Sequence, residues 1–131
     1  MKGIISLSRV SGTEHDQICQ ILLVIIIDIP LPGGFSASHL LQATRAILNF
    51  IYVTQYPCQT SLMLPLLDDA LVQFHQNKSI FVDLGIHTHF NLPKLHSLCH
   101  YIEMIQLFGT TDNYSTEYTE RLHIDLAKDA Y

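Results

Sequence analysis

Two short spacings in this chain bring side chains that bind metals or move protons onto one side of a helix. His96 and His100 stand four residues apart, and Glu103 follows one turn later. A His-x-x-x-His pair on a helix presents two imidazoles together, an arrangement that can bind zinc. The spacing fixes no third ligand, although His89, Cys99 and His123 are candidates. The glutamate lies outside the pair, so the zinc-protease pattern is absent. The plainer reading, preferred from the sequence alone, is a pair of buried or capping histidines hydrogen-bonded to backbone. The second spacing is Glu117 with Glu120, one helical turn apart, so that both carboxylates can point the same way. One of them would then be a metal ligand carried on the last helix. The ordinary explanation is also available: acidic residues in a first helical turn are favoured by the dipole by about 0.3–1 kcal/mol each. Glu117 can also pair with Arg121 four residues on. Spacing alone favours the ordinary explanation.

Other residue types suggest chemistry less strongly. His87 and His89 flank Thr88 in an expected loop, where such a pair is ordinarily just solvated. His123 and Asp125 are two apart and face different directions on a helix, so Asp125 better suits Arg121 or Lys128. Asp68 and Asp69 fall on the polar side of a leucine-rich helix, which reads as a solvated face. Gly33-Gly34 is too short for a phosphate-binding loop, and no Gly-x-Ser-x-Gly or Cys–His nucleophile arrangement stands out.

These side chains must be positioned by helices. A first helix is expected over 14–28, opened by Ser11 or Thr13 and by acidic Glu14 and Asp16 in its first turn. Its β-branched second half would also suit a strand. The run from Ile18 to Ile29 is the most apolar stretch, but it covers only about twelve positions and contains Gln20 and Asp28. A bilayer span needs roughly 20 apolar residues, so the run reads as a buried helix. Pro30, Pro32, Gly33 and Gly34 impose a loop. A second helix starts after Ser36 or Ser38 and runs to about Gln55, with Leu40, Ala43, Ile47, Phe50 and Ile51 on its core face. Leu64, Leu67, Leu71 and Phe74 trace a third, with Pro65 near its start. A short helical segment over 79–84 closes at Gly85. Asn91 or Leu92 caps a further helix whose stripe is Leu95, Leu98, Ile102 and Ile105 and which ends at Gly109. Thr110 to Ser115 reads as a polar loop. A last helix begins near Ser115 or Thr116, with Leu122 and Leu126 inward, and its pattern is still running at Tyr131, which suggests truncation.

The bulk composition narrows the function classes. Apolar residues make up 48% and charged residues 15%, enough for a core and too apolar for global disorder. The net charge is -5, and the seven Lys and Arg residues are scattered. A protein that grips DNA unaided shows a basic stripe against the phosphates, and this chain has none. Three cysteines, Cys19, Cys58 and Cys99, lie far apart without a Cys-x-x-Cys pair. That excludes a disulfide framework and suits a reducing compartment. The start of the chain is too short and too broken for a signal peptide, so an intracellular location, nuclear or cytoplasmic, is expected.

Several blocks carry a resemblance. The most distinctive are His89-Phe90-Asn91-Leu92-Pro93-Lys94-Leu95-His96-Ser97-Leu98-Cys99-His100-Tyr101 and Phe108-Gly109-Thr110-Thr111-Asp112-Asn113-Tyr114-Ser115-Thr116-Glu117-Tyr118-Thr119-Glu120-Arg121-Leu122-His123-Ile124-Asp125. Upstream stand Glu14-His15-Asp16-Gln17-Ile18-Cys19, Arg45-Ala46-Ile47-Leu48-Asn49-Phe50-Ile51-Tyr52 and Phe74-His75-Gln76-Asn77-Lys78. In this order they resemble the C-terminal part of Plavaka transposases, of the Kyakuja–Dileera–Zisupton group of cut-and-paste elements of mushroom-forming fungi. The resemblance covers roughly residues 12 to 131. Asn49 stands where an aspartate is expected, and Pro65 interrupts a helix that the family leaves unbroken.

The resemblance implies an RNase H-like parent enzyme in which three acidic residues hold two divalent cations, Mg2+ or Mn2+. One cation activates the nucleophile and the other stabilises the leaving oxygen. It implies that the last of these acids is Glu120, with Glu117 second, and that the first two lie upstream of this chain. DNA is then a partner only in the full-length context, and the fragment is expected to lack transposition activity. The expected fold class is mainly α, a bundle of about five to six helices belonging to the helical C-terminal part of such an enzyme. Residues 1–12 are expected to be poorly ordered and 13–131 to form the domain. Two other readings remain open: a helical protein–protein interaction module, self-associating through exposed apolar faces such as Leu64 to Phe74 and Leu95 to Ile105, and a small His-rich metal-binding domain centred on His96 and His100.

Overall fold

In the computed structural model, residues 12–114 are described. Over them the chain is mainly helical, as expected, and no strand occurs among the described residues. The helices are α1 (Gly12–Ile27), α2 (Ala37–Thr54), α3 (Leu64–Asn77), α4 (Ser79–Asp83), α5 (Pro93–Ser97) and α6 (Tyr101–Phe108), with 3₁₀ turns at Pro32–Gly34, Leu98–His100 and Thr111–Tyr114. The last helix expected from Ser115 or Thr116 lies outside the described residues. The backbone separates into two compact units, Met1–Leu48 with Val72–His89 and Asn49–Leu71 with Phe90–Tyr131.

In the first unit, α1 begins at Gly12 and carries Glu14 in its first turn, where a carboxylate meets the positive end of the dipole. Thr13 lies inside the helix rather than capping it. The apolar run is helical through Ile27, so its β-branched half does not form a strand. The expected burial of this helix is overturned: none of its residues is buried. Cys19, Leu22, Leu23 and Ile26 are half-buried along one stripe, while Ile21, Val24, Ile25 and Ile27 are exposed, Val24 at 71%. The reason is geometric. A helix packed along one stripe covers one side only, and this run is apolar on every side. The turn that follows uses Gly33 at φ 70 and Gly34 at φ 72, values that glycine adopts without steric cost.

The start of α2 follows Ser36, whose carbonyl accepts from the His39 N–H at 3.2 Å. Leu40, Ala43, Thr44, Ala46 and Leu48 are buried in this unit's part of the helix, and Phe74, Asn77 and Ile80 are buried beyond it. The Thr44 hydroxyl has no hydrogen-bond partner. Asn77 Nδ2 donates to the Gln73 carbonyl at 2.8 Å, which satisfies a buried amide locally. After α4 the chain turns at Gly85, φ 68, the stop that the sequence pattern indicates.

The second unit has a defined core. Phe50, Leu67, Ala70, Leu71 and Ile105 are buried together, with Val53, Leu64, Leu98, Tyr101 and Ile102 packed against them. Full burial of a side chain such as Leu67 contributes about 1.5–3 kcal/mol. Pro65 lies in the first turn of α3, where its missing N–H costs no helical bond. The stripe residues Leu67 and Leu71 of α3 and Ile105 of α6 are therefore used internally. They do not form the exposed face expected of an interaction module.

The helix expected from Leu92 to Gly109 has its expected start and stop, with a 3₁₀ turn inside it. Pro93 occupies its first position and Leu92 stands at the cap in extended conformation, without a side-chain cap bond. The Ser97 hydroxyl then donates to the Lys94 carbonyl at 2.7 Å, local bonding of the kind that competes with the helical ladder. The backbone tightens to 3₁₀ over Leu98–His100 before α6 resumes. Gly109 ends α6 at φ 84 and ψ -153. The expected polar loop after it is a 3₁₀ turn, in which the Thr111 hydroxyl donates to the Thr54 carbonyl at 2.9 Å. That bond satisfies a carbonyl left open at the end of α2.

Candidate functional site

His96 sits near the end of α5 and His100 ends the 3₁₀ turn that follows. Both side chains are exposed. Their rings meet edge to face, with centroids 5.3 Å apart and planes at 88°. Neither ring is hydrogen-bonded to backbone among the described residues, so the preferred reading of buried or capping histidines does not hold. His100 closes the 3₁₀ turn at the cap of α6 without a side-chain cap bond, and both rings face solvent. Cys99 between them is exposed and unpaired.

Among the described residues, no three His, Cys, Asp or Glu side chains converge as a metal-binding group. Of the suggested third ligands, His89 and Cys99 therefore do not complete one with the pair. His123 lies outside the described residues, as do Glu117, Glu120 and Asp125. Asp68 and Asp69 are exposed on α3, the solvated face that the sequence suggests.

No protein-family profile, curated protein or solved structure matches the chain. Among the described residues no helix is long and apolar enough to cross a membrane.

One constellation escaped the sequence reading. Lys78 Nζ lies 2.7 Å from His75 Nδ1. An ammonium can only donate, so Nδ1 must be the unprotonated nitrogen of a neutral ring. Desolvation first, and the Lys78 charge second, hold the His75 pKa below its ordinary value of 6.5. The three-residue spacing of His75 and Lys78 was visible, since such pairs are helical neighbours. A histidine beside a cation is seldom singled out, however, because attraction is what sequence patterns are searched for. The pair is an electrostatic feature of the α3 end.

Proposed function

We propose that this chain is a helical domain derived from a Plavaka-type cut-and-paste DNA transposase, and that the isolated polypeptide does not cleave DNA. The observation that carries this reading is the ordered series of blocks from Glu14-His15-Asp16 to Glu120-Arg121. The mainly helical fold is consistent with it. The scattered cations and the net charge of -5 fit a domain that relies on the rest of an enzyme to hold DNA.

The parent chemistry requires several carboxylates around two cations. On the resemblance this chain supplies one of them, Glu120, with Glu117 as the second choice. That donor set does not make up a two-cation Mg2+ or Mn2+ site, so no cleavage step follows from this chain alone. The test is to incubate the purified chain with supercoiled plasmid in Mg2+ or Mn2+. No nicked circles above the protein-free control are expected. Nicking that disappears with Glu120→Gln would overturn the proposed inactivity. The family reading is tested separately on the flanking genomic frame, which should encode the two further acidic residues.

A second reading is favoured by the exposed apolar side of α1, Ile21, Val24, Ile25 and Ile27: an interaction module that self-associates. An apolar patch of this kind marks contact sites more often than free surface. Light scattering on the eluting protein separates the readings, since a clean monomer that binds no apolar dye argues against association.

A further inference from the structure

We draw no further inference here: the strongest candidate, the exposed apolar side of α1 formed by Ile21, Val24, Ile25 and Ile27, is an unpartnered helix face, and nothing in the structure shows what covers it.

Discussion

Phe50 and Tyr101 meet edge to face, with ring centroids 5.4 Å apart and planes inclined at 67°. Phe50 is buried at 2% exposure within the second unit's core, and Tyr101 packs against that core. This is the contact by which α6 seats its first turn on the part of α2 in that unit. Phe50→Ala is expected to destabilise the protein by about 3–5 kcal/mol, transfer and cavity terms together. Tyr101→Leu keeps apolar volume and removes the ring, and should cost about 0.5–1.5 kcal/mol for the lost aromatic pairing. Urea midpoints of the two variants against the parent check both values. Equal losses would mean that the ring contact, rather than burial, dominates.

Gly109 is held where no other residue fits. Its φ of 84 with ψ -153 lies in a region essentially restricted to glycine. A Cβ built there would also lie 2.5 Å from Asn113 Nδ2, and that amide donates to the Phe108 carbonyl at 2.9 Å. Gly109→Ala should therefore cost about 1–3 kcal/mol in backbone strain, together with the Asn113 bond. Gly85, at φ 68 with nothing within 4 Å of a Cβ, should tolerate alanine better. Thermal melts of the two variants side by side test the order. If Gly85→Ala proves the worse, the Asn113 contact is not what makes position 109 special.

The sequence pattern revealed what depends on local periodicity and little of what depends on distant partners. Leu40, Ala43 and Phe50 were legible as a core face because apolar spacing reports which side a helix buries, and all three are buried. Gly85 and Gly109 were legible as stops because positive φ selects glycine. The 3₁₀ turn at Leu98–His100 was not, since Leu95, Leu98, Ile102 and Ile105 keep helical spacing straight through it. The Thr111–Thr54 bond joins residues 57 apart, and neither side chain announces the other. Helix α1 was misread because hydrophobicity measures the tendency to be buried, not the presence of a neighbour to do it. Of the site residues, His96 and His100 were recognisable as a pair from spacing. Their exposure and ring geometry required the fold.

His75 makes part of the stability depend on pH, and the sign follows from its lowered pKa. The unfolded ring takes its proton near 6.5, and the folded ring only below that. Above the unfolded value both states are neutral at this position, and the contribution is complete. As pH falls through 6.5 toward the folded value, the unfolded chain binds the proton first, so stability declines. Protonation would also remove the lone pair that accepts from Lys78. His75→Gln should flatten this part of the profile while leaving stability at neutral pH nearly unchanged. Urea midpoints of parent and variant on either side of pH 6.5 give the difference. Parallel profiles would show that the Lys78 contact does not persist in solution.

Val24 offers a direct reading of what the exposed side of α1 does. At 71% exposure its side chain contributes little burial, and glutamine is a better helix former than valine. Val24→Gln should therefore change stability by no more than about 0.5 kcal/mol. If the apolar side is free in solution, the substitution should reduce apolar-dye binding and raise solubility without altering the elution volume. If copies of the chain associate through it, the same substitution should shift the species toward monomer, because a polar amide at the centre of an apolar contact loses its hydration without a prepared partner. Light scattering across a concentration series distinguishes the two outcomes. A large fall in melting temperature at every concentration would contradict both, since it would mean that Val24 is packed within its own chain.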